Sequence, residues 1–225
     1  MRPLLPTTLR ALARLLMYPD ATLRPQLAEL ANALDADPCL PAGNRQALSE
    51  LVGELQAVAP LVAESTYVEL FDRNASTSLH LFEHVHGASH DRGPAMIDLM
   101  RTYEQTGLRL EPGELPDHLG VVLEFASTLS AENGRAFLRE LTPILSGLHA
   151  TLQQRGSRYA AVPAAVVALA GDQLQAKPAR TEAPLDASWS EPAAFDGCEL
   201  RQRPSVQPIQ IVPRQAPQHS KEQNL

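Results

Sequence analysis

Four of the seven histidines of this 225-residue chain, His80, His84, His86 and His90, fall between positions 80 and 90. Inside that stretch His80-Leu81-Phe82-Glu83-His84 spells H-x-x-E-H, the zinc-binding string of one class of metalloprotease. On a helix, His80 and His84 lie four residues apart on one face. Two imidazoles there hold zinc if a third ligand arrives from elsewhere, with Glu83 as the general base. A metal-dependent hydrolase built on His80, Glu83 and His84 is therefore one reading. Three features oppose it. The string is short and recurs by chance. No downstream carboxylate stands out as a third ligand. His84 and His86, two positions apart, point to different faces and cannot both join His80. In the plainer reading these histidines donate hydrogen bonds to Glu83, Asp91 or backbone groups. His86, just before Gly87, then complements the negative end of a helix.

The elements that position these residues are helical throughout. Leu9, Leu12 and Leu16 recur at helical spacing, as do Leu23, Leu27, Leu30 and Leu34. Leu48, Leu51, Val52 and Leu55 form another stripe, closed by Pro60, and Tyr67, Leu70 and Phe71 follow. Ser76 is placed to cap a helix holding Leu79, Phe82 and His86. Pro94 and Gly107 bound the next helix, which carries Met96, Leu99, Met100 and Tyr103 on one face. Pro116 is placed to open a helix with Leu119, Val122, Leu123, Ala126 and Leu129. A long pattern from Phe137 to Leu152 contains Pro143, which predicts a kink or break. Residues 158–175 close the set. The pattern predicts an all-α single domain of about nine helices over residues 1–176.

From Lys177 onward the chain changes character. Residues 177–225 hold seven prolines and no sustained apolar periodicity, which predicts a disordered tail. DASWSEPAAF (186–195) and PIQIVP (208–213) stand out as islands within it.

Composition narrows the function classes. The net charge is −7, and all of it belongs to residues 1–176. An acidic body disfavours nucleic acid and suits a basic partner. Two distant cysteines, Cys39 and Cys198, make neither a disulfide framework nor a four-cysteine zinc site. With no leader-like segment and no run of about 18 apolar residues, a cytoplasmic location without membrane insertion is expected.

Three segments together resemble a known family: 67–100, containing LFEHVHGASHDRGPAM; 103–125, YEQTGLRLEPGELPDHLGVVLEF; and PIQIVP. They are similar to the NarJ family, a TorD-like branch of chaperones that assemble respiratory nitrate reductase. Pro116-Asp117-His118 matches the E-P-D-H motif of the wider group, with Leu115 inserted after Glu114. In the family pattern His84 and His86 belong to the motif, whereas position 80 is usually apolar. The resemblance implies a non-catalytic, TorD-like helical bundle that holds no cofactor stably. It would bind the N-terminal segment of the nitrate reductase catalytic (alpha) subunit, assist molybdenum cofactor insertion and delay membrane docking. Molybdenum cofactor biosynthesis proteins are candidate further partners. Tyr67, Phe71, Glu83, His84, His86, Asp91, Arg92, Glu114, Pro116, Asp117 and His118 become candidates for client-peptide binding. Of these, Tyr67 and Phe71 also read as plain core, and Pro116 and Asp117 as a helix start. Glu83, Asp91, Glu114 and Asp117 are expected to line the rim of one groove. Protonation of His84, His86 or His118 below about pH 6.5 is expected to weaken that field.

Overall fold

Two helices are apolar on nearly every side, and such helices belong in the middle of a protein. The computed structural model describes residues 5–87, 89–111, 113–176 and 178. Within them α7 (Leu119–Thr128) buries Leu119, Val121, Val122, Leu123, Phe125 and Ala126, and α10 (Ala161–Leu169) buries Val162, Ala165, Val166, Val167 and Leu169. Amphipathic helices surround them. The helix α1 (Leu5–Leu15) buries Leu5, Leu9 and Leu12 and packs on α7. The helices α3 (Ala42–Ala57) and α9 (Thr142–Gln154) flank α10, and α2 (Leu27–Asp35) packs on α3. The remaining helices are α4 (Pro60–Tyr67), α5 (Leu81–Val85), α6 (Arg92–Gln105) and α8 (Ala131–Glu140).

The described residues thus form ten α-helices and no β-strand. The expected all-α class holds. The count exceeds nine because the Phe137–Leu152 pattern is broken: α8 ends at Glu140, and α9 restarts at Thr142 with Pro143 in its first turn. Two helix starts differ from the sequence reading. Ser76 does not stand at the start of α5; it is buried, and α5 begins only at Leu81 after His80. Pro116 does not open α7, which begins at Leu119 with His118 as its cap. The expected tail, with both of its islands, lies outside the described residues except for residue 178.

Tyr67 and Phe71 take the core alternative. Tyr67 packs against Phe71, Tyr18 and Tyr159, and its hydroxyl donates to the Leu16 carbonyl at 2.7 Å. Between Tyr67 and the motif region the chain widens into a π-helical turn, Val68–Asp72. Two carbonyls of that turn are met by side chains: Asn74 donates to Glu69, and the Thr77 hydroxyl donates to Leu70. Tyr159, by contrast, buries a hydroxyl with no partner among the described residues. Tyr67→Phe should therefore lower stability by about 1 kcal/mol, while Tyr159→Phe should leave it unchanged or raise it. Urea titrations of both variants, read as midpoint shifts at constant slope, check the contrast.

Candidate functional site

The two motif stretches meet side by side. Residues 79–81 and 117–119 run antiparallel side by side, joined by an isolated bridge between His80 and His118. The Leu81 N–H donates to the Asp117 carbonyl at 3.0 Å, and the Leu119 N–H to the Leu79 carbonyl at 2.8 Å.

Asp117 is the centre of the arrangement. The sequence places it at a groove rim; the structure buries its side chain completely. The physical reason is the amino end of α5. His80, the residue before that helix, makes no side-chain cap to it. Asp117 supplies the cap from the far side of the bridge: its carbonyl takes the first helical N–H, and its Oδ2 takes the Phe82 N–H at 3.2 Å. The His80 ring donates from Nδ1 to Oδ1 at 3.1 Å, and the Arg92 guanidinium lies 3.5 Å from Oδ2. Burial alone would raise the carboxyl pKa. The hydrogen bond and charge of His80, the Phe82 N–H and the Arg92 charge outweigh it, and the net pKa lies below the ordinary value.

Neighbouring groups lock this centre. Arg92 also meets Glu83 at 3.3 Å, rather than pairing with Asp91, which accepts instead from the Ser89 hydroxyl at 3.1 Å. His118 Nδ1 accepts the Gly120 N–H at 3.2 Å. A Cβ on Gly120 would stand 3.1 Å from that same nitrogen, so a larger residue there would press on the His118 ring. Burial, reinforced by the charge of His80, lowers the His118 pKa to about 4. His118 is therefore neutral at the pH near 6.5 where the sequence reading has it titrate. Tyr103, fully buried on α6, donates from its hydroxyl to the Pro116 carbonyl at 2.8 Å and packs its ring on Phe125.

The histidine string comes apart on this framework. His80 precedes α5 in an extended conformation and turns to Asp117, whereas His84 donates from Nε2 to the Ser78 carbonyl at 2.8 Å. Those separate engagements overturn the shared zinc face. Among the described residues, no group of three His, Cys, Asp or Glu side chains is placed to hold a metal ion. His86 ends α5 with its ring edge-on to Phe82.

Residues 37–164 match the family described as the nitrate reductase delta subunit. The chain belongs to that family. It is 44% identical over 189 residues to the nitrate reductase molybdenum cofactor assembly chaperone NarJ of Escherichia coli K12, covering 80% of each chain. It is 40% identical over 144 residues to the probable assembly chaperone NarW of the same strain, covering 59% of this chain and 62% of the relative. It is 30% identical over 156 residues to a probable NarJ of Bacillus subtilis, covering 68% of this chain and 82% of the relative.

In this family member, the motif residues divide into two groups. Asp117, Pro116, Tyr67 and Phe71 are buried, and His118 is half-buried. Glu83, His84, His86 and Arg92 are half-buried; Asp91 and Glu114 are exposed. What the sequence does not reveal is the apolar surface beside them. Ile97 and Met100 on α6 are 47% and 40% exposed, and Val85 and Leu115 also face solvent. Of the face that joins Met96, Leu99, Met100 and Tyr103, only Tyr103 is fully covered. A cavity of about 560 Å³ lies at its end, lined by Met100, Tyr103, Glu104, Leu108, Arg109 and Leu110. The spacing on α6 marks which residues share a face; Tyr103 was the signal that something anchors it.

Proposed function

We propose that this chain is a cytoplasmic, non-catalytic assembly chaperone for a respiratory nitrate reductase. It binds the N-terminal segment of the catalytic (alpha) subunit and keeps the apoenzyme open until the molybdenum cofactor is inserted, before membrane docking. The observation that carries this reading is the half-covered apolar face of α6. Ile97 and Met100 stand about one turn apart on α6 and are exposed, as are Val85 and Leu115 in the motif stretches. A groove-binding helix uses that spacing to seat its own apolar stripe. The segment that carries the face is rich in acids, with Glu83, Asp91, Asp98, Glu104 and Glu114 along it. Complementary charge on the client speeds encounter more than it sets affinity. The printed names of the relatives, assembly chaperones for the same enzyme and cofactor, support the choice of client. No helix of the described residues is long and apolar enough to cross a membrane, in keeping with the proposed location. The buried clasp has a supporting part, holding α5 and α6 in register. Glu83, His84, His86, Asp91, Arg92 and Glu114 remain candidates for direct contact.

Calorimetric titration of the alpha subunit's N-terminal peptide into the full chain tests the reading. Binding is expected at micromolar affinity or tighter, on the order of −8 kcal/mol. Ile97→Asp with Met100→Asp, both at exposed positions, should weaken it about tenfold or more. Wild-type protein giving neither heat nor a shift in melting temperature would reject the client. Equal binding by the folded double variant would reject the face.

A further inference from the structure

The chain has four methionines, Met1, Met17, Met96 and Met100, and two of them share one face of one helix. Met96 and Met100 lie four residues apart on α6, one above the other on the face that also carries Leu99 and Tyr103. Met100 is exposed and Met96 half-buried. Met100 also lines the cavity at the end of that face, with Tyr103, Leu108 and Leu110. Met17 is placed differently. It follows α1, is half-buried, and holds its Sδ 3.4 Å from where a Cβ on Gly120 of α7 would stand.

A thioether on such a face can be turned from apolar to polar by a two-electron oxidant. The sulfur lone pair attacks one oxygen of a hydroperoxide. An S–O bond forms as the O–O bond breaks; sulfur loses two electrons and the peroxide gains them. The departing hydroxide or alkoxide takes the proton left on the transferred oxygen and leaves as water or alcohol. The product is a sulfoxide, a polar group with a strong acceptor oxygen. In the free chain water meets that oxygen, so the fold is little affected. Under a client's apolar stripe the oxygen loses its water and gains no donor, so the complex is weakened.

We infer that Met96 and Met100 form a reversible oxidation switch on the client face. A hydroperoxide turns client capture off, and reduction of the sulfoxides restores it. The inference rests on α6 being the client's seat, as proposed above, and adds a means of regulating that seat. Methionine sulfoxide reductases, one for each sulfoxide epimer, supply the return step. Leucine at both positions would keep a similar apolar volume without the response.

The test treats the full chain with hydrogen peroxide, removes the oxidant with catalase and maps the added oxygen by mass spectrometry. A dithiol then returns sulfenic acid or disulfide at Cys39 and Cys198 to thiol and leaves the sulfoxides in place. Met100 should be modified before Met17, and the oxidised chain should keep its circular dichroism and melting temperature. Calorimetric titration of the alpha subunit's N-terminal peptide should show affinity weakened about tenfold or more, and regained after treatment with the reductases. Each variant is read against its own untreated sample. Peroxide should change the affinity of Met96→Leu with Met100→Leu by less than about twofold, and should weaken Met17→Leu as much as wild type. The inference is overturned if Met17 reacts first, if oxidation unfolds the chain, if the reductases restore nothing, or if the α6 variant loses as much as wild type. Equal binding before and after oxidation rejects the switch alone. Absence of binding by the untreated chain rejects the client reading itself, and the switch with it.

Discussion

Asp117→Ala should lower folding stability by about 3 kcal/mol, the lower part of the range for breaking a buried charged pair. The carboxylate has no contact with water and meets His80, Phe82 N–H and Arg92. Removing it leaves the second N–H of α5 without a partner and a guanidinium facing an empty space. His80 and Arg92 are each about one-third exposed, so water recovers part of the loss, which sets the estimate at the lower end. Asp117→Asn should cost less, because its amide oxygen still accepts one of the three donors. Urea titration at pH 7 distinguishes these outcomes. A loss within about 0.5 kcal/mol for the alanine variant would mean that the clasp does not hold the fold.

A loss of similar size is expected when wild type is acidified from pH 6.5 towards 4. His118 is held neutral by burial, with its pKa near 4 in the fold against 6.5 ordinarily. Across that interval the unfolded chain takes up a proton that the folded chain refuses. Stability therefore falls as pH falls, by up to about 3 kcal/mol if the interval is traversed fully. Asp117 adds to the loss only lower down: its depressed pKa gives stability present above the ordinary carboxylate value and lost as pH drops through the folded one. Glu124 works the other way, since burial and the nearby Glu114 raise its pKa. The comparison with a variant therefore isolates His118 better than the raw slope does. His118→Asn keeps an acceptor at the helix cap and removes the titration. Urea midpoints between pH 7.5 and 4.5 should fall less steeply for it than for wild type; parallel curves would reject a neutral buried His118.

Much of the fold is legible because most helices bury a leucine stripe, and a stripe is visible at any burial partner. Leu9 and Leu12, or Leu48 and Leu51, need no knowledge of what covers them. Pro143 likewise carries its own consequence. The site is harder to read because its bonds are long-range. Asp117 next to a proline reads as the local start of a helix, and it does cap a helix, but the one beginning at Leu81. Ser76 looks like a cap for the same reason, while the segment around it is held by Thr77 reaching back to Leu70 and by His84 reaching back to Ser78. Periodicity on α6 identifies Met96, Leu99, Met100 and Tyr103 as one face without revealing that only the last is fully covered. The H-x-x-E-H spacing is real, but the helix it presupposes starts one residue too late to include His80.

The bridge at His80 and His118 also has a consequence for the order in which the molecule is made. Phe82 and Asp117 are 35 positions apart, and the stretch between them, including α6, is an excursion closed at its neck and pinned to α7 by Tyr103 on Phe125. Closing so long a loop carries an entropic cost that local contacts within it do not repay. Its ends are held by α7, and α7 is itself placed by α1 from the opposite side. The exposed face of α6 is therefore a late product of folding, assembled after the central helices have met. Ile97 and Met100 therefore reach their exposed positions on α6 only in a chain that has completed its own core.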